Sequence, residues 1–178
     1  MNNNDNCDQD ITDVLYEYIA SFDREIYANE IHREESLIQQ ATNMQTAFSF
    51  VSAAVFMLAA IIMDHRGELS LKIFPVVLII ISLFLLFSLL CATLAQMRFK
   101  RKAFPEASAF QNFVEKNYKQ FESKAQRAKY MADTYSILHK SLSDTNEVRV
   151  SWIQRSMRFF IGAIIMCVIG FFAVMIFQ

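Results

Sequence analysis

Three histidines and three cysteines are the side chains of this sequence best suited to metal or nucleophilic chemistry, and their placing argues against both. None of His32, His65 and His139 pairs at metal spacing with a Cys, Asp or Glu in a pattern that repeats across the chain. His32 and Glu35 form an i, i+3 pair that a solvated helix face explains. Cys91 and Cys167 sit inside apolar runs, Cys7 lies in a polar start, and no CxxC occurs. They read as free thiols acting as small hydrophobes rather than as a disulfide or zinc framework. No GxSxG, phosphate-binding glycine loop, GxGxxG or HExxH is present. The expectation is a protein that is not an enzyme and holds no metal and no cofactor.

Two other residue groups carry more information. Small residues recur at helical spacing in three apolar runs: Ser49, Ala53 and Ala60; Ser88, Ala92 and Ala95, with Cys91; and Ala163, Cys167 and Gly170, with Gly162. In lipid, small residues let helix backbones approach closely, so these stripes are candidates for helix packing or for lining a pore. Packing of the runs within one chain is the first reading, and subunit contact or pore lining the second. The other group is Arg98, Lys100, Arg101 and Lys102. It serves first as a topology signal at the headgroups and second as a docking patch for an acidic stem or an anionic partner.

The elements that must position these residues follow from hydropathy. Residues 73–97 hold 25 uncharged residues, and about 20 suffice to cross a bilayer as a helix. Residues 46–63 and 159–177 are uncharged runs of 18 and 19 residues. Pro75 falls in a first helical turn, where no intrahelical donor is needed. Only 3 Gly and 2 Pro occur in 178 residues, which suits long helices. The expected fold is an all-α membrane protein with three transmembrane helices, at about 46–63, 73–97 and 159–177, and a cytoplasmic helical bundle. Absence of Asp, Glu, Lys, Arg and His from the spans argues against a pump or secondary transporter.

Lys and Arg near the spans set the orientation. The connector 64–72 has two, against four in the first eight residues after the second span. The connector is expected outside, with the N-terminus and the 98–158 region in the cytoplasm and the C-terminus outside. Residues 1–10 read as a disordered start and 11–45 as a helical stem. The hairpin occupies 46–97, the helical region 98–158, and the third span 159–178. Residues 1–45 carry ten acids and two bases (−8), while 98–158 carry thirteen bases and six acids (+7). Ala107, Val114, Phe121, Ala128, Tyr135 and Leu142 are spaced by sevens, which predicts one amphipathic helix over 107–142. Phe110, Met131 and Leu138 form its second seam. Asp144 and Glu147 resemble an N-terminal capping arrangement, so a new helix is expected to begin there.

The layout resembles small multi-span effectors of bacterial anti-phage systems, of the SLATT type and of the retron- or cyclic-nucleotide-linked transmembrane type. The likeness rests on the stem and hairpin, on Phe104-Pro105-Glu106 opening AFQNFVEKNYKQF, and on TNEVRVSWIQRSMRFFIGAII with Asn146, Arg149 and Arg155. It covers residues 25–178. It implies an abortive-infection effector in the bacterial inner membrane, held inactive by a partner and acting by oligomerisation to form a pore or disrupt the bilayer. It further implies a cytoplasmic regulatory partner, either a reverse transcriptase with nucleic acid or a nucleotide-signalling protein. This sequence holds no nucleotide-sensing domain of its own, and no catalytic residue carries over. The principal rival is a membrane-anchored scaffold or regulatory subunit without permeability activity. A holin-like or superinfection-exclusion protein is a second, against which the 61-residue loop counts.

Overall fold

The computed structural model describes residues 3–64, 73–97, 99–100 and 102–176. Its elements are α1 (Asn3–Asp64), α2 (Ile73–Gln96), α3 (Ala107–Lys116), a 3-10 turn (Tyr118–Phe121) and α4 (Lys124–Ile176), with no strand among the described residues. Three helices, α1, α2 and α4, are long and apolar enough to cross a membrane. This is the all-helical membrane architecture expected from the three uncharged runs. His65 and the remaining connector residues 66–72 lie outside the described residues, as do Arg98 and Arg101.

α1 begins at Asn3 rather than near Ile11, so the stretch read as a disordered start is helical from its third residue. No Gly or Pro interrupts the run. No break occurs before the apolar stretch, as expected of a stem that leads straight on.

Two sequence expectations about the second half do not hold. The 107–142 segment is not one helix. α3 stops at Asn117, whose side-chain Nδ2 donates to the Phe113 carbonyl at 2.9 Å while its backbone N–H donates to the same oxygen at 3.1 Å. α4 starts after Ser123, where a reciprocal capping box forms. The Gln126 N–H donates to Ser123 Oγ at 3.1 Å, and the Ser123 N–H donates to Gln126 Oε1 at 3.4 Å. Conversely, α4 runs unbroken through Asp144 and Glu147. Thr145 Oγ1 bonds back to the Ser141 carbonyl at 2.9 Å, so this polar stretch is satisfied within a continuing helix.

The chain divides into two compact units. Unit 1 comprises Met1–Glu35 and Phe99–Asn146. Here the seven-residue repeat is the inward face of α4, with Ala128, Ala132, Leu138 and Leu142 buried. Tyr135 lies 6.0 Å from Tyr27 of α1 and 5.4 Å, edge to face, from Phe104. Phe113, Phe121 and Tyr130 form an aromatic cluster, with centroids 5.2 to 5.9 Å apart, that folds α3 and the 3-10 turn onto α4. The Lys102 N–H donates to Ser141 Oγ at 3.1 Å and ties down the entering strand of chain.

The first α4 turn has a third cap. Asp13 Oδ1 of α1 accepts from the Ala125 N–H at 2.9 Å, which satisfies an orphan donor and places negative charge at the helix N-terminus. Asp13→Ala is expected to cost about 1 kcal/mol. The loss is read as faster amide exchange at Ala125 and its neighbours, with the middle of α4 unaffected.

Candidate helix-packing and assembly site

Unit 2 comprises Ser36–Arg98 and Glu147–Gln178, and in it α1, α2 and α4 pack around two apolar clusters. One joins Ala41, Met44 and Phe48 to Ala95 and Ile153; the other joins Ile81, Leu85 and Ala163, with Val55 and Phe160 against it. Phe48 and Phe160 stack with centroids 4.0 Å apart.

The predicted small residues of α2 and α4 are where the backbones meet. Ser88, Ala92 and Ala95 are 0%, 1% and 1% exposed, and Ala163 is 1% exposed. Ser88 Oγ donates to the Ser156 carbonyl at 2.9 Å, and Ser156 Oγ donates to the Ser88 carbonyl at 2.8 Å. This reciprocal pair clasps α2 to α4 with every hydroxyl hydrogen used inside the bundle. A Cβ at Gly162 would lie 2.9 Å from the Phe84 ring, and one at Gly170 would lie 2.7 Å from Val77. Both glycines are sites of close approach. Cys91 is buried and Cys167 is half-buried.

The third stripe behaves differently. Ser49, Ala53 and Ala60 are exposed, together with Thr42 and Thr46, and Ala41 and Ala59 take the inward positions of α1. The hydroxyls of Thr42, Thr46 and Ser49 bond back to carbonyls four residues earlier, so they are satisfied within the helix. Hydropathy identifies the run but not which of its faces meets α2 and α4.

Polar contacts tie the end of this bundle where α2 finishes, and local sequence pattern does not show them. Gln96 Nε2 donates to Gln45 Oε1 at 2.7 Å, joining α2 to α1. Arg149 is 2% exposed, and its guanidinium reaches the Met97 carbonyl at 3.5 Å. A cation there faces the negative end of the α2 dipole. The exposed Arg155 lies 4.8 Å from the ring of the half-buried Trp152 in a cation–π contact. An open groove of roughly 610 Å³ runs along α1 and α4, polar at Gln39, Gln40 and Asn43 and apolar at Met44, Phe48, Met157 and Phe160.

In unit 1 the buried polar centre is Asn146, which is 0% exposed. Its Nδ2 donates to the Glu30 carbonyl at 3.1 Å and to Glu30 Oε1 at 2.9 Å, while Arg33 pairs with the same carboxylate oxygen at 3.1 Å. Asn146 is thus a side-chain clamp between α4 and α1. Of the basic group, Lys100 and Lys102 are exposed. Among the described residues no three His, Cys, Asp or Glu side chains come together in a way that could hold a metal ion.

No protein-family model matches the chain, nor does any curated protein or any solved structure.

Proposed function

We propose that this chain is a membrane-disrupting or pore-forming effector that acts by assembling copies of itself in the bacterial inner membrane, within an abortive-infection response to phage. The observation that carries the reading is the outward stripe on α1. Thr42, Thr46, Ser49, Ala53 and Ala60 lie along one exposed side of the helix, interrupted by Phe56, which is 49% exposed. Lipid tails gain nothing from such a face, whereas a neighbouring helix packs closely against it and a water-filled lumen tolerates it. The three spans hold no Asp, Glu, Lys, Arg or His, which fits gating by assembly better than a charge-relay transport cycle. In this reading the N-terminus and the basic 98–158 region are cytoplasmic, the C-terminus is outside, and a cytoplasmic partner restrains the chain until triggered.

The test is induction of the chain, alone and with its genomic neighbours, while a potential-sensitive dye reports the membrane. Depolarisation is expected once the restraint is absent or released. Ala53→Leu, which adds bulk on the exposed face without touching the chain's own core, is expected to abolish it. If the potential holds under every triggering condition while a partner is still recruited, the chain is a membrane-anchored scaffold instead.

A further inference from the structure

The first turns of α1 are apolar on two opposite sides. One side faces α4, where Asp13 caps Ala125 and Tyr27 meets Tyr135. On the other side Ile11, Val14, Leu15, Tyr18 and Phe22 are 61%, 65%, 54%, 68% and 52% exposed. At 3.6 residues per turn these five fall in a sector roughly 100° wide, and Asp13 lies roughly 150° away from its centre. A contiguous face of five large apolar side chains is an interaction surface rather than ordinary scatter.

Charge says what covers it. Residues 11–25 carry Asp13, Glu17, Asp23 and Glu25 against Arg24, a net −3. Residues 116–127 carry Lys116, Lys119, Lys124 and Arg127 against Glu122, a net +3. Glu17 and Glu25 are exposed, and so are Lys116, Lys119 and Lys124. Phe113, 39% exposed, offers an apolar edge beside Lys116. The two surfaces cannot meet within one unit, because Asp13 holds the start of α4 against the side of α1 that faces away from the stripe. Pairing stripe with stripe would bring Glu17 and Glu25 of two copies together, and an anionic bilayer surface would repel the same carboxylates.

We infer that the Ile11–Phe22 stripe docks on the Phe113–Lys124 corner of a second copy of this chain. The contact is head-to-tail, since each copy presents both halves on opposite sides. A heterologous contact of that kind propagates, and it closes into a ring when its rotation permits. The inference deepens the assembly reading above by naming a contact, and its test keeps the two separable.

Two differently tagged full-length chains, each with Cys7, Cys91 and Cys167 replaced by Ala, are co-expressed in membranes. One carries Tyr18→Cys and the other Lys119→Cys, and a short bismaleimide is added. A product bearing both tags is expected. Glu17→Lys with Glu25→Lys on the first chain should reduce that product at least ~10-fold, the effect of about 1.4 kcal/mol. Lys119→Glu with Lys124→Glu, carried by a partner chain whose cross-linking cysteine is moved to the exposed neighbouring position Asn112→Cys, should restore it. Tyr18→Cys chains joined to one another, or joined only to a different protein, overturn the inference, as does charge reversal without effect. Depolarisation without the mixed product would leave the effector reading standing and remove this contact. The mixed product in cells that never depolarise would do the reverse.

Discussion

Asn146→Asp is expected to destabilise the chain by roughly 3–5 kcal/mol at neutral pH, the scale of an uncompensated buried charge. The wild-type amide is fully buried and donates to Glu30 Oε1 at 2.9 Å. Replacing the donor by a second carboxylate turns that attraction into repulsion, in a setting where the Glu30 side chain is only 12% exposed. Arg33, 42% exposed, already pairs with Glu30 and cannot neutralise two carboxylates. Asn146→Leu should be milder, about 1–3 kcal/mol, because it strands an acceptor without adding a charge. The two variants separate by pH. Acidification should recover part of the loss in Asn146→Asp, where the paired carboxyls can share a proton, and none specific to Asn146→Leu. Denaturant titration of the detergent-solubilised chain, at neutral and acidic pH, reads both. Equal losses at both pH values would remove the clamp from the account.

Ser88→Leu is expected to open the α2–α4 contact, whereas Ser88→Ala leaves it nearly intact. Deleting one hydroxyl removes one interhelical hydrogen bond, worth about 0.6 kcal/mol in a membrane bundle. Adding three carbons at a position with no exposure forces the helices apart, at a cost of about 1–3 kcal/mol or more. The expected order is therefore set by volume and not by polarity. Ser156→Leu should behave alike, since Ser156 is the reciprocal partner and is equally buried. Unfolding in mixed micelles, followed by the fluorescence of Trp152 on α4, gives the comparison. If Ser88→Ala proved as damaging as Ser88→Leu, the hydrogen bonds would be holding the helices together and close packing would be secondary.

The spans were legible in sequence because an uncharged run of 18 or more residues has few other solutions. The inward face of α4 was legible too, since Ala128, Leu138 and Leu142 repeat at heptad spacing and are buried. The break before α4 was missed because the heptad carries on across it. Ser123 and Gln126 have capping-box spacing, but so do Asp144 and Glu147, and only the first pair is used. A local motif cannot tell a helix start from a polar turn inside a helix whose amide is satisfied elsewhere. Asn146 and Glu30 lie 116 residues apart, so no window of sequence contains their bond. The α1 stripe was recognised as small residues, yet which face meets α2 and α4 depends on partners distant in sequence.

The bond from Ala125 to Asp13 spans 112 residues, and that separation bears on how the chain is made. At roughly 5–20 residues per second on the ribosome, Asp13 waits about 6–22 s before its partner is synthesised. During that interval the newborn stem at the start of α1 exposes both apolar sides at once, while the two hydrophobic segments at 46–63 and 73–97 are still being delivered to the membrane. The nascent stem thus has a period of vulnerability in which a holdase or a targeting factor would have the most to shield, and which ends only when residues 124–146 have emerged.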